Sequence, residues 1–98
     1  MWAQLIKARI KPGSETAARQ VEEELRTEHP SGGPIRSMSF RNEKDQNEVY
    51  NLVFFESEEK AREFERSPEQ QQRVRRFWDL FEGQPEFVDL IPDHEWSV

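Results

Sequence analysis

Residues 48–55, EVYNLVFF, carry apolar side chains on both faces of what reads as a β-strand. Val49, Val53 and Phe55 point one way, and Tyr50, Leu52 and Phe54 point the other. A strand of this kind has to be covered twice. The chain has 98 residues, 34% of them hydrophobic and 35% charged, so it makes one domain spanning residues 1–98 with little apolar material to spare. Its own helices can cover one face. A second copy of the chain is the economical cover for the other.

The remaining elements fall in an informative order. Trp2 to Lys11 alternates Trp2, Gln4, Ile6, Ala8 and Ile10, which should face helices, with Ala3, Leu5, Lys7, Arg9 and Lys11 on the opposite face. Pro12 and Gly13 end this strand. Ser14 is placed to cap a helix running to about Glu28, with Ala17, Ala18, Val21 and Leu25 on one face. HPSGGP, residues 29–34, stops that helix. Ile35 to Phe40 predicts a second strand and RNEKDQN, residues 41–47, a turn before the two-faced third strand. Ser57 caps a short helix with Ala61 and Phe64 inward. Ser67-Pro68-Glu69 then starts another, with proline at the first helical position and an acid in the first turn. Val74, Phe77, Trp78 and Phe81 share its apolar face, which predicts Trp78 buried between helix and sheet; Gly83 suits its C-terminal cap. Pro85 to Ile91 reads as the last strand. The sum is an α+β, ferredoxin-like βαββαβ fold, an antiparallel sheet with helices on one face.

Charge and composition exclude several functions. A net charge of -6 argues against a nucleic-acid partner, and Arg73, Arg75 and Arg76 read as a solvated helix face. The absence of cysteine removes disulfides, thiolate nucleophiles and Cys-ligated metals. No stretch approaches the roughly 20 apolar residues of a membrane helix, and Lys7 and Arg9 interrupt any signal-like run. The expectation is a soluble, cytoplasmic protein.

Five short segments then look familiar: KPG closing the first strand, FFES closing the third, EEKAREFER as the short helix, SPEQQQ opening the next, and GQPEFVDLIP as the last strand. Together they resemble the antibiotic biosynthesis monooxygenase family of dimeric α/β barrels, over nearly the whole chain. The resemblance implies a homodimer whose sheets meet face to face as a barrel, with a cavity in each chain between helices and sheet. It also implies oxidation of flat polycyclic phenols to quinones with no metal, flavin or other cofactor. A related branch degrades haem with an Asn, a Trp and a His; the matching positions here hold Ile6, Phe64 and Val74, so no haem chemistry is expected. Gln70, Gln71 and Gln72 stand where a His often follows Ser-Pro-Glu, and glutamine is no base near pH 7.

The pocket so implied is lined by Ile6, Phe64, Val74, Trp78 and Phe81, with Tyr50 or Asn51 as its polar element. Each residue also has a plainer reading. Tyr50 either donates a proton or packs in the core or interface. Asn51 either orients a substrate carbonyl or bonds a neighbouring side chain. Trp78 either stacks on a flat ligand or packs. Arg9 is expected to pair with Asp89 or Glu86 across the dimer. His29 reads as a solvated loop residue, and Asp93-His94-Glu95 as an exposed tail rather than a metal site. Two function classes remain: a cofactor-independent oxygenase for an aromatic or quinol small molecule, and a non-catalytic dimeric module that binds a small ligand or serves as a structural partner.

Overall fold

A computed structural model of the protein describes residues 1–27 and 32–97, the side chains of residues 25–27 excepted; Leu25's side chain, His29 and the end of the first helix near Glu28 lie outside the described residues. The elements run β1 (Trp2–Arg9), α1 (Glu15–Thr27), β2 (Arg36–Arg41), β3 (Glu48–Phe55), α2 (Glu58–Arg66), α3 (Pro68–Trp78) and β4 (Glu86–Leu90). The four strands form one antiparallel sheet in the order β2-β3-β1-β4. This is the expected ferredoxin-like arrangement, with the second helical crossover broken in two.

Local chemistry sets the joints. Lys11-Pro12-Gly13-Ser14 closes as a turn in which the Ser14 N–H donates to the Lys11 carbonyl at 3.0 Å, and Gly13 takes φ +89°. Proline fixes the first corner of such a turn and the second needs positive φ, so KPG is a turn signal with a mechanism. Ser57 and Ser67 cap α2 and α3, each hydroxyl accepting a backbone N–H at 3.2 Å, from Lys60 and from Gln70. Gly83 is not the cap of α3: that helix ends at Asp79, and Gly83 turns the chain into β4 at φ +74°.

The helix-side face of β1 is Trp2, Gln4, Ile6 and Ala8, continued by Ile10, and the pairing puts Val49, Asn51, Val53 and Phe55 beside them. Two apolar clusters cover it. One joins Trp2, Val53, Phe55 and Ala61, with Ile6 and Phe64 against it. The other joins Ala8, Ile10, Ala18 and Phe81, with Val49, Phe77, Trp78 and Leu80 against it. Of the two alanines expected inward on α1, Ala18 is buried and Ala17 is exposed.

Among the described residues no helix lies over the opposite sheet face. Its side chains lie in rows across the strands: Arg36, Phe54, Ala3, Leu90; then Met38, Leu52, Leu5, Val88; then Phe40, Tyr50, Lys7, Glu86. The first two rows are apolar save Arg36, and charge gathers at the other end, where Glu48 faces Arg9. β2 runs contrary to a two-layer fold. It turns Ser37, Ser39 and Arg41 toward the helices, and Met38 and Phe40 away from them. No helix among the described residues is long and apolar enough to cross a membrane.

Arg9 corrects an expectation. It pairs within its own chain, with Asp45 and, at 3.6 Å, with Glu82. Asp89 points to the helix side, where it accepts from Gln4 Nε2 at 3.0 Å and Arg62 Nη2 at 2.7 Å. Arg62 also stacks over Trp2, so this network ties β4 to β1 and α2.

These carboxylates should make the fold acid-sensitive. Asp89 is held below the usual carboxylate range by Gln4 and then Arg62, Asp45 by Arg9, and Glu48 by the Tyr50 hydroxyl and then Lys7. A lowered folded pKa stabilises fully above the unfolded value, and that stability is lost as pH falls through the folded one. The groups are largely solvated, so each contributes modestly. The urea midpoint should fall steadily below about pH 4. A midpoint at pH 3 equal to that at pH 7 would remove these pairs from the stability account.

Candidate functional site

One row crosses all four strands on the helix side: Ser39, Asn51, Ile6 and Phe87. It lies between the two apolar clusters. Asn51 is its polar centre, half-buried, with its Oδ1 accepting from the Ser37 hydroxyl at 2.9 Å. The Ser39 hydroxyl lies 3.5 Å from the same oxygen and donates to the Glu22 carboxylate of α1 at 2.8 Å. A hydroxyl has one proton, and the shorter, charge-assisted bond to Glu22 takes it. Glu22–Ser39 therefore ties α1 to the edge strand β2, and Ser37–Asn51 ties β2 to β3.

Aromatic rings flank the other end of the row. Trp78 stands edge-on to Phe87 at 5.8 Å and lies 5.5 Å from Phe81. Trp78 is half-buried, not buried as its helical phase suggested, because its other neighbour Phe87 sits on the edge strand and is 49% exposed. Phe81 is the buried ring, held edge-on by Phe77 at 4.7 Å.

The expected pocket residues thus divide between the clusters, Ile6 and Phe64 in one and Trp78 and Phe81 in the other. Val74 is half-buried on α3, one turn before Trp78. Tyr50 is on the opposite sheet face from all five. Its hydroxyl donates to Glu48, which raises the phenol pKa, and Lys7 lies over its ring. A phenol so held keeps its proton at neutral pH. Tyr50 and Asn51 cannot serve one pocket, since neighbouring residues of a strand face opposite ways.

Clefts open on the helical surface among the described residues. One, of about 360 Å³ at the α2–α3 junction, is lined by Lys60, Glu63, Phe64, Ser67 and Glu69 among others; another, of about 400 Å³, by Glu69, Gln72, Arg73 and Arg76. Phe64 is the one expected pocket residue that reaches either. Arg73 departs from the solvated-face reading: it is half-buried with Nε withdrawn from solvent, while Arg76 reaches Glu24 of α1 at 3.0 Å. No three His, Asp or Glu side chains among the described residues come together to hold a metal, and Asp93, His94 and Glu95 lie exposed along the tail.

Sequence reasoning missed Glu22, Ser37 and Ser39. The serines had a signal: in RSMSFR they alternate with Met38 and Phe40, so a polar face of β2 was readable. Glu22 had none, being one of three consecutive acids on a charged helix.

No protein-family model and no curated protein matches the chain. Solved structures do. A candidate antibiotic biosynthesis monooxygenase from Bordetella bronchiseptica superposes with TM-score 0.82 at 13% identity, covering 95% of this chain and 97% of its own. One from Deinococcus radiodurans gives 0.80 at 7% identity, covering 100% and 98%. A third, from Chloroflexus aurantiacus, gives 0.68 at 18%, covering 97% and 98%. The chain therefore has the antibiotic biosynthesis monooxygenase-like fold, as the five sequence segments suggested. Identities this low carry the fold and not the reaction.

Proposed function

We propose that this protein acts as a cytoplasmic homodimer, its two sheets closed face to face, and that each chain takes a flat phenolic molecule on its helix side and oxidises it with O₂, without a cofactor. The observation that carries the ligand reading is Asn51. It is a hydrogen-bonded amide in the centre of the Ser39–Asn51–Ile6–Phe87 row, with apolar clusters on either side and Trp78 at the Phe87 end. Such a setting suits a planar molecule with one oxygen to be held. Asn51 would orient that oxygen, Trp78 and Phe87 would bear on the ring, and Glu22 behind Ser39 would accept the phenol proton. The reaction balances without a reductant: 1-naphthol and O₂ give 1,4-naphthoquinone and water, one oxygen atom going to the ring carbon and the other to water.

A non-catalytic binding module is the second reading. It is favoured by the absence of histidine from this row and by clefts that open at the helical surface instead. One experiment separates the two. Titrate the protein with 1-naphthol by fluorescence, then follow O₂ uptake and quinone absorbance above the protein-free rate. Equal uptake and quinone, both lowered at least tenfold in Asn51→Ala, are expected of the oxygenase. Saturable binding without quinone would establish the module. No binding at millimolar naphthol would reject both for this class of ligand.

A further inference from the structure

We infer that residues 91–97 form an arm that docks on the second copy of this chain, with Trp96 as its anchor; the inference rests on the homodimer proposed above. The segment follows β4 directly and has no regular structure. It holds the two most exposed large apolar side chains among those described, Ile91 at 81% and Trp96 at 73%. Scattered exposed apolar residues are ordinary, but an indole left in water in a chain this poor in apolar residues is an unused contact.

Position selects the occupant. β4 is an edge strand, and Val88 and Leu90 already lie on the helix-free face. The arm therefore begins at the rim of the surface that the second copy covers. Stacked sheets lie about 10 Å apart, and an extended residue spans about 3.4 Å, so six or seven residues reach about 20 Å. That length crosses the gap between the sheets and leaves enough to lie along the partner's rim. Chemistry agrees. Asp93 and Glu95 flank the route to Trp96, and the apolar rows of the receiving face end in the exposed Arg36, stacked over Phe54. An acidic arm carrying a tryptophan matches an apolar rim with a guanidinium at its corner.

The test compares the parent, Trp96→Ala, and a chain ending at Pro92, by sedimentation over a dilution series. The dimer constant should weaken several-fold in Trp96→Ala and at least tenfold in the shortened chain, with far-UV circular dichroism unchanged. The emission that Trp96 contributes, taken as the difference between the parent and Trp96→Phe, should be blue-shifted in the concentrated dimer and move to the red on dilution. A parent that dimerises with the same constant as both variants, or a Trp96 emission typical of indole in water in the dimer, overturns the arm and leaves the dimer standing. A parent that sediments as a monomer throughout overturns the dimer, and the arm with it.

Discussion

Leu52→Lys should leave the protein monomeric at concentrations where the parent sediments near twice its 11.7 kDa chain mass. Leu52 is central in the row Met38, Leu52, Leu5, Val88, on the face that carries no helix. The reversed polarity of β2 is what the proposed dimer requires of this face. A sheet covered on one side turns its apolar residues inward, yet β2 turns Met38 and the 47%-exposed Phe40 away from its own helices and presents serines to them. In a two-fold dimer every substitution acts twice. Losing the burial of one leucine costs about 1.5 to 3 kcal/mol, so two cost about 3 to 6 before any charge is desolvated. That corresponds to about 10² to 10⁴ in the dimer constant. Leu52 takes no part in either helix-side cluster, so the variant's folded chain should keep its helices. A Leu52→Lys protein with the parent's mass at micromolar concentration would show that the helix-free face is not the interface.

The parts legible in the sequence were those set by periodicity and by turn chemistry. The two faces of β3 fell as their alternation required, because a strand's side-chain period is two whatever surrounds it. KPG and the two serine caps act within a few residues, so they too could be read without tertiary knowledge. What failed was what depends on distance between elements. Arg9 was paired with the wrong acids because the hairpin that brings Asp45 to it lies 36 residues away in sequence. Trp78 has the helical phase of a core residue. Its exposure is set instead by the edge strand beneath it, and phase carries no information about which strand that is. Glu22 joined the candidate site only because its side chain reaches across to the Ser39 hydroxyl of β2.

Trp78 and Phe81 should accordingly respond in opposite order to what size alone suggests. Tryptophan is the larger ring, yet Phe81 is 4% exposed and is held between Phe77 and Trp78, while Trp78 keeps part of its surface open beside Phe87. The Phe81 backbone also bridges to Ile10, which is 2% exposed in the same cluster, so a cavity at Phe81 cannot readily collapse. Phe81→Ala should cost about 3 to 5 kcal/mol, a large share of the about 5 to 15 kcal/mol that holds a small domain folded. Trp78→Ala removes a half-buried ring whose space is already reached by solvent. It should cost about 2 kcal/mol, the scale of a partial burial term with little cavity penalty. Ligand binding should follow the reverse order. Trp78→Ala weakens 1-naphthol binding at protein concentrations where the chain is folded, and Phe81→Ala weakens it only as far as it unfolds the chain. Paired urea melts and naphthol titrations read both quantities. A Trp78→Ala loss of stability equal to or greater than that of Phe81→Ala, with naphthol affinity unchanged, would make Trp78 a core residue and withdraw it from the site.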